Sequence, residues 1–247
     1  MISGLYTAAS GMAAFQTKLD VLANNLANVD TPGFKADLFT LVPSGTSPLD
    51  TDGAASPTGS VEPGQTALDL SPGVLKHTGN PLDLAIAGPG LFAVETGQGV
   101  AYTRAGNFSR SVEGFLVTPE GFRVLGTNGP IRLPEQGVSV DARGQVSAST
   151  GTEAARTEGQ LRIVVGPALG SLTKVGANLY VPTDGAGAPR DLAEPTIVQG
   201  ALEASNVNVV RSMVEMLATM RSFEAYQKTI QAIDQTAGQA AGDLGRA

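Results

Sequence analysis

The chain has 247 residues, with 16 basic against 23 acidic side chains and a formal net charge of -7. It has no cysteine, no tryptophan and a single histidine, His77. These counts exclude disulfides, cysteine-ligated zinc and two-histidine chemistry, and the acidic balance argues against a nucleic-acid partner, which needs a basic face.

The N-terminal residues have no basic region, and their apolar run is broken by Ser3, Gly4 and Ser10. No cleavable secretory signal is predicted, and no stretch reaches the ~20 apolar residues that span a bilayer. Over residues 3–28, Leu5, Ala8, Met12, Phe15, Leu19, Leu22 and Leu26 alternate by threes and fours. That heptad stripe predicts a helix that packs against other helices. Its other faces carry only Lys18 and Asp20 as charges, so contact on more than one side is expected. Asp30-Thr31-Pro32-Gly33-Phe34 ends it, because proline disfavours a helical residue before it.

In the stretch 43–66, 16 of 24 residues are Gly, Pro, Ser or Thr. So little apolar surface does not offset the entropy of ordering, and a long loop or arm is predicted. From about 67 to 204 the pattern is β. Strands are predicted at 82–86, 91–95, 100–104, 115–118, 122–125, 131–133, 138–141, 145–148, 161–165, 179–182 and 197–201, with glycine turns such as Glu113-Gly114, Glu120-Gly121 and Arg143-Gly144 between them. Short strands of this kind suggest an irregular antiparallel barrel or sandwich.

A second long helix is predicted over 207–244, with Asn208 as its N-cap. Its stripe is Val210, Met213, Met216, Met220, Phe223, Tyr226, Ile230, Ile233, Ala237, Ala240 and Leu244, with a stammer around Phe223. The fold class is therefore mixed and mainly β: an irregular antiparallel domain flanked by terminal helices that pack together as a coiled-coil-like pair. Residues 1–34 with 205–247 form the helical part, 35–72 a variable arm and 73–204 the β domain. The helical stripes bury too little for a lone pair, so the termini are expected to order on assembly.

The segment Leu22–Lys35, reading LANNLANVDTPGFK, resembles the N-terminal signature of flagellar rod and hook proteins. The run Gly200–Val210, reading GALEASNVNVV, resembles their C-terminal signature. Asn80–Ile86, Gly90–Phe92, Tyr102–Phe108 and Gly114–Thr118 are similar to blocks in the middle of such chains. Within the family, the length and the run Arg221–Ile230 are most similar to proximal-rod members, with distal-rod members as the alternative. The resemblance implies a structural, self-assembling part of an axial tube, with helices inside and β domains outside. It also implies export by the flagellar type III apparatus without signal cleavage. Partners are then further copies and other rod proteins, with no nucleic acid, no membrane span, no small-molecule substrate and no cofactor.

The residues assigned to subunit contact are Leu5, Met12, Phe15, Leu19, Leu22, Asn24, Asn25, Leu26, Asn28, Pro32, Gly33 and Phe34 at the N-terminal end. At the C-terminal end they are Ser205, Asn206, Val207, Asn208, Met213, Met216, Met220, Phe223 and Ile230. The asparagines suit polar contacts between subunits or, equally simply, cap a helix end. The methionines suit a packing surface tolerant of different neighbours or an ordinary core. Arg104 either meets a carboxylate or is exposed, and His77 reads as surface. Catalytic and metal sites are assigned to no residue. An exported cell-wall hydrolase would need two carboxylates about 5–10 Å apart. Asp83, Glu95, Glu113, Glu120 and Asp141 are scattered over strand ends and turns instead. A binding module is the remaining alternative.

Overall fold

A computed structural model describes residues 2–43, 61–133, 137–148, 156–165, 172–183, 185, 187 and 189–244. The chain divides into two compact units, each discontinuous in sequence. One comprises Met1–Ala27, Asp37–Ala67 and Asn208–Ala247; the other comprises Asn28–Ala36 and Leu68–Val207.

In the first unit, helix α1 (Ile2–Ala27) packs against helix α2 (Val209–Leu244). Leu5 lies within the backbone of α1. Ala8, Gly11, Ala14, Leu22 and Asn25 form the buried line of this helix, while Met12, Phe15, Lys18, Leu19 and Leu26 are half-buried beside it. Small residues make the closest approach. A Cβ built on Gly11 would lie 2.8 Å from Cε1 of Tyr226, and the Tyr226 ring is 5.5 Å from that of Phe15.

The predicted stripe of α2 is corrected. Among the described side chains the covered positions are Val209, Ser212, Met216, Thr219, Ser222, Phe223, Tyr226, Ile230 and Ile233, and apart from Ser222 they alternate by threes and fours. Val210, Met213 and Met220 lie on the exposed side with Val214 and Leu217. An apolar pattern overlooks Ser and Thr, but a hydroxyl that bonds back to its own helix can sit at a packed position. Thr219 does so, donating to the Glu215 carbonyl at 2.7 Å while only 3% exposed.

Strands β1 (Asp37–Pro43) and β2 (Val61–Leu68) pair as a two-stranded sheet. The predicted arm is thereby corrected over 61–66, where the backbone is strand; residues 44–60 lie outside the described residues.

The second unit begins its regular structure with β3 (Leu75–His77), β4 (Leu84–Ile86), β5 (Leu91–Thr96), β6 (Gly99–Thr103), β7 (Ser109–Arg110), β8 (Leu116–Val117) and β9 (Arg123–Gly126). There follow β10 (Gly129–Pro130), β11 (Val138–Val140), β12 (Gln145–Ala148), β13 (Arg156–Gln160), β14 (Ile163–Val165), β15 (Leu172–Lys174), β16 (Leu179–Pro182), β17 (Arg190–Asp191), β18 (Ile197–Gln199) and β19 (Ala201–Glu203). The main sheet runs β15-β16-β6-β5-β9-β8-β7, with β10 on β9, β14 on β5 and β17 on β14. Strands β11, β12 and β13 form a three-stranded sheet. The last two strands return to the first: β18 pairs antiparallel with β4, and β19 with β3.

Strand β5 shows why the unit coheres. Leu91-Phe92-Ala93-Val94 is a continuous apolar run, buried on both faces of the sheet. Phe92 and Val94 enter a large cluster with Leu84, Ile86, Phe108 and Val124, while Leu91 and Ala93 enter a second with Tyr102, Val164 and Tyr180. Phe92 meets Phe108 edge-on at 5.1 Å. Each such side chain contributes about 1.5–3 kcal/mol when fully buried. The predicted strand at 131–133 is reduced to an isolated bridge between Phe115 and Arg132, although Ile131 and Leu133 are buried.

Candidate functional site: the junction of the two terminal signatures

The turn after α1 is held by Asn28, whose carbonyl accepts from the Thr31 amide and whose side-chain oxygen accepts from the Thr31 hydroxyl, both at 3.2 Å. It leads to Gly33, which has φ of +68° and donates its amide to the Glu203 carbonyl at 2.7 Å. A Cβ there would lie 2.4 Å from the Arg104 carbonyl carbon, so only glycine fits. Phe34, 3% exposed, follows, with the Lys174 ammonium 4.0 Å from its ring centre.

Lys35 then enters the interior. Its ammonium donates to Glu203 Oε1 at 2.7 Å and to the Ser71 carbonyl at 2.6 Å. Glu203, at the end of β19, also accepts from the Gly73 amide at 2.8 Å and from Arg104 Nε at 2.5 Å. The Arg104 guanidinium further donates to the carbonyls of Gly90, Ile86 and Gly88. The Lys35, Glu203 and Arg104 side chains are exposed by 2%, 1% and 4%. Burial pushes the Glu203 carboxyl up, but the hydrogen bonds from Lys35 and Gly73 and the charge of Arg104 outweigh it and hold it below the ordinary carboxylate value. Burial lowers the Lys35 ammonium, and its bond to Glu203 only partly offsets this, with Arg104 adding repulsion. Two cations thus share one carboxylate in a water-poor interior, an arrangement that depends on the carboxylate staying in place.

Two asparagines clamp backbone, each within its own unit. Asn25, 4% exposed, accepts the Asp37 amide at 2.8 Å and donates to the Asp37 carbonyl at 2.9 Å. Asn206 accepts the Ala36 amide at 2.8 Å and donates to the Asp69 carbonyl at 2.8 Å. Asn24 is exposed on α1. Pro32 accepts from the Asn178 amide at 3.3 Å. Ser205 accepts the Val207 amide at 3.3 Å, and Val207 is half-buried. Asn208 caps α2 by accepting the Arg211 amide at 3.0 Å.

The structure therefore brings Gly33, Phe34 and Asn206 to one place and sets the α2 methionines elsewhere. Arg104 meets a carboxylate, which resolves the choice left by its sequence. Lys35 and Glu203 were missed as site residues. Their signal was a lysine and a glutamate inside otherwise apolar or amide-rich signatures, where a solvated charge has no evident purpose. The carboxylates considered for hydrolysis have other uses where partners are seen. Asp83 accepts from Thr78 and Asn80, Glu113 pairs with Arg123, and Asp141 caps its own turn.

An antiparallel β body closed by segments from both ends of its chain, with a long helix at each terminus, defines the architectural class. Three family descriptions match. They are flagella basal body rod protein over residues 5–35, flagellar hook protein FlgE/F/G D1 domain over 85–148, and flagellar basal body rod FlgEFG protein C-terminal over 198–242. The chain is 37% identical over 254 residues to the flagellar basal-body rod protein FlgG of Bacillus subtilis, covering 95% of this chain and 96% of that one. It is 35% identical to FlgF of Escherichia coli over 252 residues, covering 97% of each, and 33% identical to FlgF of Caulobacter vibrioides over 249 residues, covering 100% of this chain and 99% of that one. The chain belongs to the flagellar basal-body rod protein family.

Proposed function

We propose that this chain is a structural, self-assembling component of the flagellar basal-body rod, sited in its proximal part and carrying torque from motor to hook and filament. Its partners are further copies, other flagellar rod proteins and, during export without signal cleavage, the type III apparatus. In this reading the helical ends, 1–34 with 205–247, form the rod core; 73–204 is the outer body and 35–72 the variable arm. Its place is the basal body, where the rod crosses the periplasm. The distal rod is the second reading, favoured by the 37% identity to a FlgG chain. A labelled copy located along purified basal bodies separates the two.

One observation carries the assembling role. Val210, Met213, Val214, Leu217 and Met220 line one side of α2 at 44–72% exposure. An apolar strip of this kind costs solubility unless a neighbour covers it. With Met12, Leu19, Asn24 and Leu26 of α1, these residues form the proposed contact surface. Leu22, Asn25 and Asn206 serve the chain's own fold as well. Leu217→Asp should leave the thermal melting of the isolated chain unchanged, because the side chain is already 58% exposed, and should abolish rod assembly and motility. Normal motility in that variant would refute the reading.

A further inference from the structure

The buried charge cluster joins the first and last segments of the β body. Lys35 and Glu203 are 168 residues apart in sequence, and Arg104 and Glu203 are 99 apart. By contrast, the carbonyls that hold the Arg104 guanidinium lie only 14–18 residues away from it. Closing short loops costs less entropy than closing long ones, so Arg104 is posted by its local strands before Glu203 can reach it. Until then Arg104 has only carbonyl dipoles against its charge, Lys35 has besides them only the weaker attraction of Asp69, and the two cations repel each other if brought together.

Apart from this cluster, the segments that deliver Glu203 and Lys35 are held by polar contacts such as those of Asn206 and Lys174 and bring little apolar burial. Strand β3, the partner of β19, is exposed at all three positions, and only three residue pairs join the two strands. Phe34 and Ala201 are the buried apolar residues these segments contribute. Regions with few buried apolar contacts open at lower free energy than the core around them.

We propose that Lys35, Glu203 and Arg104 form a latch that closes last in folding and opens first. When open, it frees residues 28–36 and 200–207, which lead into α1 and α2, while the main sheet stays folded. Glu203 is the hub: losing it strands two cations, whereas losing Lys35 leaves the Arg104–Glu203 pair intact.

Amide exchange of the full chain as a dilute monomer, over a series of low urea concentrations, tests this. Gly33, Gly73 and Ala204, whose amides are bonded across the latch region, should exchange through an opening at least about tenfold more populated than the one exposing Ala93, Leu116 and Ile131 of the sheet. Exchange of both groups through a single global opening, or of the sheet first, would overturn the proposal. In Glu203→Gln the latch opening should become about a hundredfold more populated with the sheet still protected, and in Lys35→Met the increase should be smaller. A Glu203→Gln chain that loses its sheet altogether, or one that exchanges like the parent, would equally overturn it.

Discussion

Glu203 makes the stability of the β body depend on pH in a defined direction. Its carboxyl titrates below the ordinary value of 4.5 in the folded chain. The stabilisation it supplies is therefore complete above that value and is lost as pH falls through the lower folded one. Urea midpoints should drop steeply on the acid side of pH 4.5, and Glu203→Gln should remove that part of the drop along with about 3 kcal/mol of stability at pH 7. An unchanged acid profile in the variant would show that Glu203 is not the group responsible. Lys35 gives a slope of the same sign on the alkaline side, although at neutral pH its charged form is a penalty rather than a gain. Its ammonium is lowered from 10.5, so in the window just below that value the folded chain sheds its proton first and this group's penalty is relieved as pH rises. Both residues were visible in the signatures as letters, but their pairing was not, because 168 residues separate them.

Helix α2 shows how an apolar pattern can be right about an element and wrong about its face, whereas the stripe read on α1 is covered at every described position. Helices were legible at both ends, and observed limits of Ile2–Ala27 and Val209–Leu244 lie within two residues of those predicted. The packed line on α1 includes, besides the predicted Ala8 and Leu22, Gly11 and Ala14, small residues that a search for large apolar groups passes over. On α2 it includes Ser212 and Thr219. Gly11 has a specific role here, since an added methyl meets the Tyr226 ring at 2.8 Å. Gly11→Ala should destabilise the helix pair by about 1–3 kcal/mol from overpacking, less up to about 1 kcal/mol gained in helix propensity. Combining it with Tyr226→Leu should recover most of the loss in a double-mutant cycle followed by circular dichroism. Additive effects would mean that the ring and the glycine do not meet in solution.

At the scale of the whole chain, the division of labour lies between a body with a continuous core and helices that leave an apolar side uncovered. The body should withstand protease where the helices do not. In dilute monomer, limited proteolysis is expected to trim residues before 28 and beyond 208 first, leaving a fragment with the circular dichroism of a β protein. After assembly the same bonds should be protected. Resistance of both helices in the monomer would contradict an order imposed by assembly. The topology contributes to this behaviour. Because β18 and β19 pair with β4 and β3, the body needs its late strands to finish folding, and both ends of the unit emerge near Glu203.

Local chemistry was enough to read much of this protein from its residues. A chain without thiols, rich in glycine turns and bounded by heptad-like ends, implied an antiparallel β domain between helices, and the signatures carried the family. The strands that went unread, such as β3 and β13, consist of polar or exposed residues whose pairing rests on backbone hydrogen bonds, and backbone groups leave no mark on side-chain periodicity. The charge cluster was hidden for a related reason. A lysine, an arginine and a glutamate do not name their partners in a sequence, even where their setting hints at burial. Their meeting at 2.5–2.7 Å depends on three distant segments converging, and only the folded chain supplies that convergence. An acidic chain short of reactive groups thus has a few buried charges that hold together the first and last segments of its β body.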